Sequence, residues 1–235
     1  LGVLALNIDE EYGGLGYGPV ETGLVMNSFG VGLLLEPYLA SAVIAPALIR
    51  RTASADFQEE WLPNIATGET IVVLAHADAR NAPVTEINGN LTGRKAVVAH
   101  GGCADLLLIS AHCADGSTGL FAVTPGADGV AQRDYLTLDG QRAADIILTD
   151  APAMRMDAGG ALDVIETALD IGLAALCSEA VGIMEATLAA TTDYLKTRQQ
   201  FGQPIGRFQA LQHRMADMLM HLEQARSMSY LAAMH

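Results

Sequence analysis

From Ala161 to about Thr197 the chain runs without a proline and is dominated by alanine and leucine, two of the strongest helix formers. One helix over that whole stretch would be long for a soluble protein, and it needs burial on several sides to be stable. The rest of the chain must therefore supply its packing partners. Gly172 and Gly182 cost helix propensity but suit close approach of neighbouring helices. The segment Phe201 to Gly206 holds Gly202, Pro204 and Gly206 and must break the helix. From Phe208 onward Leu211, Met215, Met218, Leu222 and Ala225 fall on one stripe, which predicts a second helix antiparallel to the first.

Upstream the grammar differs. From Leu1 to about Thr70 the pattern is helix and loop. Gly13, Gly14, Gly16 and Gly18 form a polar turn, Val20 to Phe29 keeps helical spacing, and Leu39 to Arg51 predicts another helix. Asp56 to Ala66 predicts a third, with Asp56 as N-cap and Pro63 making it short or kinked. Between Glu69 and about Asp150, short runs rich in β-branched and aliphatic residues (IVVLAHA, LTGRKAVVAH, ADLLLISAHC, GLFAVTP, GVAQRDYL, RAADIILTD) are separated by Gly, Asp, Asn and Pro. They predict an antiparallel sandwich or barrel, with a polar, irregular connection from Asp78 to Asn90. The expected fold class is α+β, with an N-terminal helical domain over residues 1–69, a β domain over 70–157 and a C-terminal helical domain over 158–235. Helices, then strands, then helices exclude a doubly wound sheet, in which the two alternate.

Charge narrows the partners. The net charge is −14, with 13 Lys and Arg against 27 Asp and Glu, which leaves little basic surface for nucleic acid. An anionic ligand must meet local arginines. The longest strictly apolar runs fall far short of the ~20 residues that span a bilayer, so no membrane span is expected. Cys103, Cys113 and Cys177 lack C-x-x-C spacing and are expected to be small buried hydrophobes in a reducing, cytoplasmic protein. The opening LGVLALNIDEEYGG reads as the interior of a domain, so residues outside the sequence are expected.

Most familiar catalytic signatures are missing. The glycines near residue 14 lack the spacing of a dinucleotide fingerprint, and no nucleophile elbow or P-loop occurs. None of the six histidines has metal-ligand spacing; His213 and His221 would lie about 12 Å apart on a helix. What remains is the interhelical turn. Arg198 offers a guanidinium for a phosphate, Phe201 an aromatic face and Gln209 an amide. On these residues alone, an ordinary helix corner with a solvated arginine is an equal reading.

The turn reads RQQFGQPIGRFQALQ from Arg198 to Gln212. It resembles the R-x-x-F-G-x-x-I/L turn and F-Q-x-x-Q helix start of the acyl-CoA dehydrogenases. NIDEEYGGLG at Asn7 to Gly16, WLPNIATGE at Trp61 to Glu69 and LTGRKAVVAHGGCADLLLISA at Leu91 to Ala111 are similar to further motifs of that family. The resemblance spans the chain and implies the family's fold. It further implies an FAD cofactor, an acyl-CoA substrate oxidised at its α,β carbons, and an electron-transfer flavoprotein as acceptor. Two subunits of that family share each flavin, which gives Arg198, Gln200, Phe201 and Gln209 a role in binding the dinucleotide part of a neighbour's FAD. Asp170 falls where the family places an acid near the pantetheine arm of the substrate.

The departures matter equally. Where the family supplies an aromatic and a threonine to the flavin ring, this chain has Val97 and Ala99, and LAHADARNAPV replaces T-E-P-x-x-G-S-D. The alternative position for the base, one turn after Asp170, is Leu173, so no catalytic base is assigned. LLLEPYLAS at Leu33 to Ser41 and YLKTRQQFG at Tyr194 to Gly202 also resemble the small subunits of bacterial hetero-oligomeric acyl-CoA dehydrogenases. The expected role is a partner subunit in a heterotetramer. A self-sufficient homo-oligomer, or a non-catalytic scaffold of the same fold, are the alternatives.

Overall fold

The proline-free run is one continuous helix. In the computed structural model, which describes residues 2–234, three helical segments come first: α1 (Pro19–Gly32), a π-helical stretch (Tyr38–Ile44) that leads directly into α2 (Ala45–Thr52), and α3 (Ala55–Thr67). Eight strands follow: β1 (Val72–Ala75), β2 (Thr85–Ile87), β3 (Asn90–Ala99), β4 (Leu106–His112), β5 (Thr118–Val123), β6 (Val130–Leu136), β7 (Arg142–Pro152) and β8 (Met154–Arg155). The chain then enters α4 (Leu162–Thr197), turns through a two-stranded hairpin of β9 (Gln199–Gln200) and β10 (Gln203–Pro204), and ends in α5 (Gln209–Met234). This is the expected order of helices, sheet and helices.

Several local expectations change. The N-cap of α3 is Ser54, whose hydroxyl accepts the Phe57 N–H at 3.4 Å; Asp56 already lies in the first turn. Ser54 wins because its extended backbone lets the side chain fold back over the helix start. Pro63 does not shorten α3. The burial of Phe57, Leu62 and Ile65 along one face carries the helix past the missing N–H to Gly68, whose left-handed φ of 80° closes it. The connection from Asp78 to Asn90 contains the short strand β2. Cys113 is buried as expected, but Cys103 is only half-buried and Cys177 is exposed on α4.

The chain forms two compact units, one of residues 1–18 and 35–172, the other of 19–34 and 173–235. In the first, the strands run β6-β7-β3-β2-β4-β5-β8, with β1 added against β4. Most pairs are antiparallel, but β1 pairs with β4 in parallel, Val72 opposite Leu106 and Ala75 opposite Ile109. The long excursion through β2 and β3 makes this possible, because parallel neighbours need a crossover connection. Two apolar cores form here. Leu48, Ile49, Leu62, Ile65, Leu108, Leu120 and Ile165 build one, and Val73, Leu91, Leu107, Ile109, Phe121 and Ile146 the other. Adjacent residues of β1 and β4 alternate between them, as a strand buried on both faces requires.

In the second unit α1 packs with α4 and α5. The expected stripe on α5 is the packed one: Leu222 is fully buried, while Leu211, Met215, Met218 and Ala225 are half-buried. Gly182 meets the backbone of Asn27, and Gly30 the backbone of Glu179, so neither position has room for a Cβ. Ser178 and Ser229 share a buried hydrogen bond of 2.9 Å between α4 and α5. Arg226 joins the same helices, pairing with Glu185 at 2.7 Å and with Glu223. By length and composition α4 could cross a bilayer, its most apolar window having a mean hydropathy of 1.5, so the short apolar runs understate it. Its glycines nevertheless face protein, Gly172 against Ile44 and Gly182 against Asn27.

Candidate functional site

The corner between α4 and α5 is a tight, internally bonded turn. Gln200 pairs with Gln203 and Gln199 with Pro204 across the hairpin, and the Ile205 N–H donates to the Arg198 carbonyl at 2.9 Å. Phe201 and Gly202 form its tip with φ of 53° and 77°. Two successive left-handed residues match the twist of a two-residue hairpin loop. Glycine adopts that conformation freely, whereas a phenylalanine there is strained. The Phe201 ring is 90% exposed and touches Phe208 edge-to-face, with centroids 6.0 Å apart and planes at 84°. A large apolar ring is thus left almost fully exposed at the cost of backbone strain.

The structure brings Arg198, Gln200, Phe201 and Gln209 together at this corner, all exposed. The Gln212 side chain donates to the Gly206 carbonyl at 3.0 Å and fixes the start of α5. Asp170 is exposed on the part of α4 that belongs to the first unit and does not join the corner. One charge feature escaped the motif reading. From Tyr194 to Ala216 the chain has no Asp or Glu, while it carries Lys196, Arg198, Arg207 and Arg214. Among the described residues, the three arginine side chains make no ion pair or hydrogen bond. The signal was in the sequence, as the spacing of acids rather than as a motif.

The sheet presents a different surface. Val97 and Ala99 lie on the exposed side of β3, Val97 at 62% exposure, in a register irregularity between Lys95 and Val98. Val97 has a φ of 52°, a conformation that its branched Cβ disfavours strongly. It is held there by Asp145. That carboxylate accepts the Val97 N–H at 3.2 Å, the Tyr135 hydroxyl at 3.0 Å and the Arg94 guanidinium at 2.6 Å. Burial pushes the Asp145 carboxyl up, but these donors outweigh it and leave it below the usual carboxylate range. The outward-pointing backbone is therefore built, while the side chain it displays is a small aliphatic.

The buried face of the same strand carries a lysine that sequence reasoning did not assign. Lys95 is 1% exposed, and its ammonium donates to Asp78 at 2.6 Å, to the His76 carbonyl at 2.9 Å and to Ser110 at 3.1 Å. Asp78 also accepts the Val84 N–H at 3.1 Å, so the segment after β1 is strapped across β3. Burial raises the Asp78 carboxyl, yet the hydrogen bonds from Lys95 and Val84 bring it below its ordinary value. At Lys95 burial outweighs Asp78 and lowers the ammonium. The imidazole of His76 shares a 2.9 Å hydrogen bond with Ser110, and its pKa falls through burial first and the Lys95 charge second. Among the described residues no cluster of His, Cys, Asp or Glu could hold a metal; His235 lies outside them.

These features can be set against known proteins. The acyl-CoA dehydrogenase N-terminal domain matches residues 1–69, and the C-terminal domain of the same enzymes matches residues 159–235. The chain belongs to the acyl-CoA dehydrogenase family. A curated member, acyl-CoA dehydrogenase FadE27 of Mycobacterium tuberculosis, is 31% identical over 224 residues, covering 92% of this chain and 59% of the relative. The ChsE4-ChsE5 complex from Mycobacterium tuberculosis superposes with a TM-score of 0.87 at 29% identity, over 98% of this chain and 65% of the matched one. A crystal structure of an FAD-dependent dehydrogenase superposes with a TM-score of 0.88 at 26% identity, over 99% of this chain and 70% of that one. This chain therefore spans about three fifths of the length of FadE27. The family accounts for the order of helices and sheet.

Proposed function

We propose that this chain is a subunit of an FAD-dependent acyl-CoA dehydrogenase and lends its α4–α5 corner to a flavin shared with a sister subunit. The observation that carries the reading is Phe201, an almost fully exposed aromatic held in a strained conformation at a hairpin tip. Strain of that kind persists where the surroundings over-determine it, and it is common at ligand contacts. The acid-free run beside it suits the anionic diphosphate of a dinucleotide. Arg198 would meet a phosphate, Phe201 an apolar face of the dinucleotide, and Gln200 and Gln209 its polar edges.

The corner fits one part of the cofactor, and the sheet does not fit the rest. Val97 has no ring to lay on a flavin, Ala99 has no hydroxyl to hydrogen-bond it, and Leu173 cannot accept a proton. When bound, the flavin takes the β-hydride of an acyl-CoA thioester while a carboxylate removes the α-proton. Both the ring contacts and the base would come from the sister subunit, with the electrons passing to an electron-transfer flavoprotein. The likeness to the ChsE4-ChsE5 complex, an assembly of two different chains, supports this arrangement. Asp170, exposed on α4, would lie near the pantetheine arm of the substrate.

The test is to purify the chain alone and together with a sister acyl-CoA dehydrogenase subunit from its own genome, then to measure bound FAD by absorbance and turnover with acyl-CoA. The expected result is a yellow, active complex and a colourless, inactive single chain. Full flavin content and turnover from the single chain would establish a self-sufficient homo-oligomer instead. Colourless protein in every preparation would favour a scaffold that works without flavin.

A further inference from the structure

We infer that Arg207 is a second guanidinium contact for the diphosphate of the shared dinucleotide, beside Arg198; this rests on the corner reading above. Arg207 lies in the single 3-10 turn, Ile205–Arg207, that joins the hairpin to α5. Its backbone is fixed from both sides. The Ile205 N–H bonds the Arg198 carbonyl at 2.9 Å, the Phe208 N–H bonds the Ile205 carbonyl at 3.1 Å, and the Gln212 side chain holds the Gly206 carbonyl at 3.0 Å. Gly206 itself faces the Leu195 carbonyl at the end of α4, where a Cβ would stand only 3.0 Å away. The turn therefore cannot drift from the helix end that carries Arg198.

That geometry places the two arginines near each other. Residues 198 and 205 are hydrogen-bonded neighbours, and the two residues to Arg207 add at most about 7 Å. Each guanidinium sits on a long, flexible stem, so both can reach one diphosphate group. Among the described residues neither side chain has an acid partner, and no Asp or Glu occurs between Tyr194 and Ala216. Two like charges on one short turn repel to the extent that salt leaves them unscreened. In a chain where acids outnumber bases two to one, an uncompensated pair is a local cost that an anionic ligand relieves. A merely solvated arginine would need neither the fixed turn nor the exclusion of acids around it.

The experiment uses the complex with the sister subunit, stripped of FAD and titrated with it while flavin fluorescence is followed. ADP serves as a competitor that reports the diphosphate without the flavin ring. Arg207→Gln is expected to weaken FAD and ADP by the same factor, about tenfold, as loss of one charge-assisted contact implies. Arg207→Lys should recover part of that loss, and the effect should shrink as salt is raised. Arg133→Gln, on the exposed edge strand β6, removes the same charge elsewhere and should change neither affinity. If Arg207→Gln leaves both affinities within twofold while Arg198→Gln weakens them, the inference is overturned and the corner reading stands. If neither substitution matters, or the complex binds no FAD, both are overturned.

Discussion

Replacing Lys95 by methionine keeps an unbranched apolar stem and removes only the ammonium. That ammonium is buried and fully engaged, with Asp78 at 2.6 Å, the His76 carbonyl at 2.9 Å and Ser110 at 3.1 Å. Truncating one member of a buried ion pair costs about 3–5 kcal/mol, because the other charge is left without compensation. Here the Asp78 side chain is 27% exposed, so water recovers part of the loss. Ser110 keeps its bond to His76. We therefore expect Lys95→Met to cost about 2–3 kcal/mol. Asp78→Asn should also destabilise, and the double variant should lose less than the sum, with a coupling of about 1 kcal/mol or more. Urea denaturation of all four proteins measures this directly. The pH dependence has a definite sign. Because the folded Asp78 carboxyl titrates below its ordinary value, its stabilisation is present above the carboxylate range and is lost as pH falls through the folded pKa. The gap between wild type and Lys95→Met should accordingly narrow as the pH drops below about 4. A coupling under about 0.5 kcal/mol, or a gap that stays constant into acid, would refute the idea that this pair straps the segment after β1 onto the sheet.

Asp157 offers an independent pH probe. Burial raises its carboxyl, but the N–H groups of Gly160, Leu120 and Gly159 and the Arg155 guanidinium together bring it down to about 2. Its stabilisation, about 2 kcal/mol, should be complete above pH 4 and lost between about pH 4 and 2, so acid melts of Asp157→Asn should be flatter than wild type over that window. Gly182→Val should destabilise by at least about 2 kcal/mol in thermal melts, because the added atoms meet the Asn27 backbone, which cannot move as a side chain can. Phe201→Ala should leave the melting temperature within a degree or two, since the ring is exposed, yet lower the FAD content of the complex. Retained flavin with a lowered melting temperature would assign Phe201 to folding instead.

Much of this protein follows from local chemistry that a sequence displays. The continuous α4, the break at Gly202 to Gly206, the stripe on α5 and the strand runs all express periodicity and backbone preference over a few residues, which act in the same way whatever surrounds them. The corner was legible for the same reason, since Arg198, Phe201 and Gln209 lie within one short turn. Other features depend on segments distant in the chain. The grouping of Pro19–Leu34 with Leu173 onward, the parallel pairing of β1 with β4 and the burial of Lys95 are set by which surfaces close on one another. A lysine in a strand reads as solvent-facing until the fold brings Asp78, Ser110 and the His76 carbonyl around it. The left-handed Val97 is of this kind too, because its strain is offset by Asp145, nearly fifty residues away. Sequence therefore determined where helices and strands run and which residues share the turn between α4 and α5. Only the tertiary structure decided which charges were buried, which backbone was strained and which surfaces were left open, since those energies belong to contacts between residues far apart in the chain.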